Sequence, residues 1–222
     1  MAIFNVIGPV MIGPSSSHTA GAARIGYFAR KIYGDRFDFV VIDLYNSFAD
    51  TGKGHGTDIA LLGGLMEFKP DDIRMLKSYE YAKKMKLKFK FVWNKEENED
   101  FPPNCAKVTF FKNGNAFYVV GNSVGGGDVE IININGYPVK MSGKHHTLVI
   151  NSFDTVGVVA FITSVITKEG INIALMDVER DSSVGEALAV IKLDAKFPED
   201  KISEFYKNKN IKKVISVERL AE

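Results

Sequence analysis

The chain has 222 residues, 45% of them hydrophobic and 25% charged, with a formal net charge of +1 at pH 7. That balance supports a buried core, and it argues against the broad basic face usual in nucleic-acid binding, while leaving room for a local patch. There is no apolar run of the roughly 18 residues that a membrane span needs. The opening Met1–Ile7 run carries no basic leader, so a cytoplasmic protein is expected.

Taken in chain order, Ser17 to Tyr33 reads as a helix: a hydroxyl residue caps it, Ala20, Ala22 and Ala23 favour it, and Ile25, Phe28, Ala29 and Ile32 make an apolar stripe. Phe37 to Tyr45 is β-branched and aromatic and reads as a strand. A glycine-rich loop around His55 follows, then a helix from Thr57 or Asp58, its expected cap, through Met66. Pro70-Asp71-Asp72 opens a third helix to about Met85, and Lys86 to Trp93 alternates as a half-exposed strand does. Lys95 to Pro103 is a polar loop. Asn113-Gly114 and Asn135-Gly136 are hairpin signals, each between two short apolar runs. Between the hairpins, Gly125-Gly126-Gly127 lets backbone approach a neighbour closely.

A boundary is expected near Ser142–His145, giving a first domain over 1–142 and a second over 146–222. The second reads as strand (Thr147–Ser152), helix (Val156–Lys168), strand (Ile173–Arg180), strand (Glu186–Leu193), helix (Glu199–Lys207) and strand (Val214–Val217). That order, βαββαβ, is ferredoxin-like, and the first domain is a separate α+β unit. The fold class is therefore α+β throughout.

Two polar blocks carry the chemistry. Gly13-Pro14-Ser15-Ser16-Ser17-His18-Thr19-Ala20-Gly21 puts hydroxyls and an imidazole at a helix start, where free N–H groups favour an anion such as a carboxylate. Capping accounts for one serine but poorly for three. Thr51-Gly52-Lys53-Gly54-His55-Gly56-Thr57-Asp58 supplies a second imidazole between glycines. A neutral imidazole is the natural base near pH 7, so His55 is the first candidate for a catalytic base and His18 the second. Ser15, Ser16, Ser17 and Thr19 are candidates for binding a substrate carboxylate. Lys53 either joins them or faces solvent. Two loops of this kind form a working site only if they meet in space.

Cys105 is the single cysteine, read as a small strand-end hydrophobe. One thiol forms no internal disulfide and cannot hold a structural zinc or an iron–sulfur cluster by itself. The neighbouring His145 and His146 point opposite ways in an extended chain, so no metal site is expected on this chain.

The two polar blocks, in this order and with Ser123-Val124-Gly125-Gly126-Gly127 downstream, resemble the beta chain of bacterial iron–sulfur L-serine dehydratase. The resemblance runs essentially end to end. It implies a first domain similar to the allosteric substrate-binding domain of certain D-3-phosphoglycerate dehydrogenases. The second half, with Asp154-Thr155-Val156-Gly157-Val158 after its first strand, resembles an ACT domain. The resemblance also implies a partner alpha chain that carries a [4Fe–4S] cluster, L-serine as substrate, pyruvate and ammonia as products, and no pyridoxal phosphate. His55 is the base it points to. In an ACT domain, Asn151, Asp154, Val156 and Gly157 would line an effector site at a dimer interface, or the domain would only dimerise.

A stand-alone module that senses an amino acid is the alternative, and it explains the second half equally well. It gives the two histidine-bearing blocks no task. A serine hydrolase is disfavoured because neighbouring Ser and His seldom form a working pair and no Gly-x-Ser-x-Gly elbow is present.

Overall fold

The computed structural model describes residues 10–220, so the Met1–Ile7 run lies outside it. The chain divides into two compact units, Met1–Gly136 and Tyr137–Glu222.

In the first unit a wide π-helical turn (Ser16–Gly21) runs into α1 (Ala22–Tyr33). There follow β1 (Phe39–Asn46), α2 (Ser47–His55), α3 (Thr57–Leu65), a 3-10 turn (Ile73–Lys77) and α4 (Ser78–Lys84). The unit ends with β2 (Phe89–Asn94), β3 (Asn104–Lys112), β4 (Asn115–Gly125) and β5 (Asp128–Ile134). The strands lie in the order β2-β1-β3-β4-β5. β1 pairs with β2 in parallel and with β3 in antiparallel fashion, and β3–β4 and β4–β5 are antiparallel. At the β3–β4 hairpin Asn113 and Gly114 both have positive φ, at 51° and 78°, as a type I′ turn requires.

Strand alternation buries Val40, Ile42 and Leu44 from β1 and Ala106, Val108 and Phe110 from β3. Helix α1 crosses β4, with Ile25 against Gly121, and it also touches β3 and β5. Helix α3 then packs on α1 at very short range. A Cβ on Gly64 would sit 2.0 Å from the Ala23 carbonyl oxygen, and one on Gly26 would sit 2.3 Å from the Leu61 carbonyl oxygen. Only glycine permits that approach. Because α3 is covered by so many neighbours, Ala60, Leu61, Leu62 and Leu65 are all buried and the helix is apolar around its girth.

The structure corrects the local sequence reading at several points. The glycine-rich loop before His55 is the second half of α2. Burial of Phe48, Ala49 and Gly52 outweighs the poor helix propensity of its glycines. Gly56, left-handed at φ 69°, ends α2 and immediately begins α3. Neither Thr57 nor Asp58 therefore caps α3, and the Asp58 carboxylate instead accepts a hydrogen bond of 2.7 Å from the Tyr79 hydroxyl. The expected third helix is broken into a 3-10 turn, capped by Asp72, and the short α4.

The second unit holds β6 (Tyr137–Met141), β7 (His146–Phe153), α5 (Val158–Lys168), β8 (Ile173–Asp181), β9 (Glu186–Leu193), a 3-10 helix (Glu199–Lys207) and β10 (Ile211–Val217). Four of the strands form an antiparallel sheet in the order β10-β7-β9-β8, which is the ferredoxin-like arrangement expected. Its core is Leu148, Ile150, Ile162, Ile166, Ile191 and Leu193, with Phe197 and Phe205 5.1 Å apart between ring centres. Each such fully buried side chain contributes about 1.5–3 kcal/mol relative to exposure. Among the described residues no helix is long and apolar enough to cross a membrane.

Candidate active site

The first polar block starts with Ser15 in extended conformation, its Oγ accepting a 3.1 Å hydrogen bond from the His18 backbone N–H. That capping bond fixes where the His18 backbone sits. Gly13 has φ 135°, and a Cβ there would lie 2.4 Å from Thr19 Cγ2, so glycine is what allows Thr19 to pack beneath the turn. Thr19 is buried, and its hydroxyl donates to the His55 carbonyl at 3.0 Å. One side-chain bond thus ties the start of the first helical segment to the end of α2.

Ser47, Thr51 and His55 recur every four residues on α2 and form a single line along it. The His18 ring lies against that line. Its Nε2 is 3.0 Å from Thr51 Oγ1 and 3.2 Å from Ser47 Oγ, and its centre lies 5.2 Å from that of the buried Phe48, in a T-shaped pair, and 5.0 Å from that of His55. Thr51 Oγ1 also donates to the Ser47 carbonyl at 2.9 Å. Loss of hydration on burial pushes the His18 pKa below the ordinary imidazole value. A hydrogen bond at the Ser47 backbone partly offsets this, and the neighbouring His55 adds to the lowering. The His55 side chain is exposed and its ring makes no hydrogen bond among the described residues, while Gly54 and Gly56 leave open space where side chains would otherwise stand.

The two expected imidazoles therefore meet. The serines divide. Ser15 is a cap, whereas Ser16 and Ser17 make no side-chain hydrogen bond among the described residues. Lys53 is exposed, with its ammonium 5.3 Å from the Trp93 ring centre. Sequence reasoning missed Ser47 and Phe48, and it gave Thr51 no role of its own. The i, i+4, i+8 spacing that ends at His55 would have revealed two of them had α2 been read as a helix.

Cys105 is buried as the second residue of β3, the strand-end hydrophobe expected, and burial pushes its thiol up to about 12. Among the described residues no three His, Cys, Asp or Glu side chains cluster as metal ligands. One buried, protonated thiol without companions does not fit an iron–sulfur cluster.

In the second unit a shallow depression of about 30 Å³ is lined by Ser152, Asp154, Thr155, Val158, Val178 and Ala189 among others. Of the expected effector residues only Asp154 lines it, and its carboxylate accepts a 2.7 Å hydrogen bond from Arg180. Asn151 bonds Glu186 instead, at 3.1 Å. Val156 is fully exposed, and Gly157 is the left-handed residue that starts α5.

A family model described as the serine dehydratase beta chain matches residues 2–119, which include both polar blocks. A probable L-serine dehydratase beta chain from Bacillus subtilis is 38% identical over 216 residues, covering 97% of each chain. This chain belongs to the serine dehydratase beta chain family. Another relative, the L-serine dehydratase beta chain of Peptoniphilus asaccharolyticus, is 38% identical over 192 residues, 86% of each chain. L-serine dehydratase 2 of Escherichia coli matches over a shorter stretch, 40% identical across 79 residues, which is 33% of this chain and 17% of that protein. Family membership and the meeting of His18 with His55 thus bear on the same part of the molecule, the first unit.

Proposed function

We propose that this chain is the beta subunit of a cytoplasmic L-serine dehydratase, deaminating L-serine to pyruvate and ammonia with an alpha subunit. The observation that carries the reading is the pair of imidazoles 5.0 Å apart, one half-buried and anchored, the other exposed and unbonded. His55 takes the α-proton of serine, a step for which general-base catalysis is worth about 100- to 10,000-fold. His18 stands beside it as the second candidate for moving that proton. Ser16 and Ser17, with the N–H groups of their turn, receive the substrate carboxylate. Lys53 adds positive charge nearby, although its present contact is with Trp93. Loss of the β-hydroxyl as water gives aminoacrylate, which tautomerises to the imine and hydrolyses to pyruvate and ammonia. The Lewis acid for the departing hydroxyl, a [4Fe–4S] cluster in this reading, belongs to the alpha subunit, because the donor set here does not suit one.

The second unit serves as an ACT-type module. An amino acid, serine included, would lie over the shallow depression beside Asp154 rather than inside it. Exposed Val156 and Val159 at the start of α5 offer an apolar edge to a second copy. A stand-alone amino-acid sensor is the weaker reading, since it leaves the imidazole pair unused.

The test is reconstitution. This chain, mixed anaerobically with the cluster-bearing alpha chain, should produce pyruvate from L-serine, and neither chain should do so alone. Micromolar serine binding with no pyruvate on adding the alpha chain would instead support the sensor.

A further inference from the structure

The contacts of the His18 ring define where its proton sits. Thr51 Oγ1 carries one hydrogen, and that hydrogen is donated to the Ser47 carbonyl four residues earlier, at 2.9 Å. What the hydroxyl turns toward His18 Nε2, at 3.0 Å, is therefore a lone pair. Ser47 Oγ, 3.2 Å from the same nitrogen, can accept from it as well. An unprotonated Nε2 would face the Thr51 lone pair and have only the Ser47 hydroxyl to draw on as a donor.

We propose that Thr51, backed by Ser47, is a positioning residue that holds the His18 ring, in its uncharged form, as the Nε2–H tautomer. Nδ1 then becomes the only nitrogen of that ring able to accept a hydrogen bond or a proton. Two further contacts hold the arrangement: the Ser15 cap on the His18 backbone and the edge contact with Phe48. The helical line Ser47–Thr51–His55 thus has a division of labour. Its end supplies the exposed imidazole, and its first two members set the tautomer of the imidazole next to it. The tautomer stands on geometry alone. Its consequence for turnover rests on the reading of the pair as catalytic.

The experiment is long-range proton–nitrogen NMR of the full chain labelled at histidine nitrogen, recorded at about pH 8, above the ordinary imidazole range. The wild-type His18 should show a single Nε2–H tautomer. Thr51→Val, which keeps the shape but removes the hydroxyl, should give a mixture or the Nδ1–H form. Thr51→Ser should restore the wild-type pattern. In the reconstituted complex Thr51→Val should lower kcat by about 10- to 100-fold with KM within about threefold, since a misplaced proton is a transition-state defect. Thr51→Ser should recover most of the loss. A wild-type Nδ1–H signal, or a Thr51→Val chain with the wild-type tautomer, would overturn the proposal. If Thr51→Val does not fold, the wild-type spectrum and Ser47→Ala, Thr51→Ser decide in its place. A correct tautomer in a complex that makes no pyruvate would remove the dehydratase reading and leave the assignment of the proton intact.

Discussion

The histidine face of the first unit and the depression of the second are built on opposite principles. The first is crowded with hydroxyls, two imidazoles in ring contact, and serines whose side chains lack partners among the described residues. The second is lined mainly by apolar side chains, and its one carboxylate is already paired with Arg180. Unspent hydrogen-bonding capacity beside a pair of imidazoles suits chemistry on a polar substrate. A mostly apolar hollow with one satisfied charge suits reversible binding. The difference teaches where to look for turnover and where to look for control.

The largest expected effect lies where α3 packs on α1 in the first unit. Gly64→Ala forces a methyl against the Ala23 carbonyl oxygen at 2.0 Å, backbone against backbone, so urea denaturation should show a loss of about 2–3 kcal/mol. A matched change in the second unit, Gly157→Ala, meets no atom within 4 Å and suffers only the strain of φ 88°. It should cost about 1 kcal/mol. Equal losses at both glycines would mean that the α1–α3 contact is looser than it looks.

The serines sharpen the comparison next. Ser16→Ala or Ser17→Ala should raise KM for L-serine about tenfold, or ~1.4 kcal/mol, with stability unchanged. Ser15→Ala should do the reverse, losing about 1 kcal/mol of stability with its cap. Stability loss in all three without a change in KM would reduce the run to capping.

Acid separates the units more gently. His18 in the first and His146 in the second are both lowered, chiefly by burial. For each, the unfolded chain binds its proton near pH 6.5 while the folded chain resists until lower pH. Stability should therefore fall as pH drops through 6.5 toward the folded value, and it should be complete above 6.5. His18→Gln should flatten this slope in part, leaving the share due to His146. An unchanged slope would mean that the His18 ring is freely solvated.

The smallest effect belongs to Asp154→Ala. Its partner Arg180 is largely exposed, so the pair contributes about 0–1 kcal/mol to stability. The variant should alter amino-acid binding to the isolated chain by calorimetry and leave kcat of the complex unchanged.

Much of this was readable from residue patterns. The ferredoxin-like half was legible because its short apolar strand runs, buried over four or five successive positions in β7 and β9, are set apart by amphipathic helical stretches in a βαββαβ order. The Asn-Gly hairpin between β3 and β4 was legible because few residue pairs tolerate two positive φ angles in succession. Both imidazoles were found from their settings. What stayed hidden was long-range. Gly52 and Gly54 argue against a helix locally, and only burial of Phe48 and Ala49 holds α2 together. With α2 unseen, Ser47 and Thr51 had no visible relation to His18, 29 and 33 residues away. Asp58 looked like a cap because Tyr79, its actual partner, is 21 residues downstream.

Pyruvate formation by matched anaerobic complexes, one with the wild-type chain and one with His55→Ala, tests the central claim most directly. His55 is exposed, so the substitution should leave folding and assembly within about 0.5 kcal/mol of wild type. Turnover should fall by at least about 100-fold. An assembled His55→Ala complex that makes pyruvate at the wild-type rate would contradict the account.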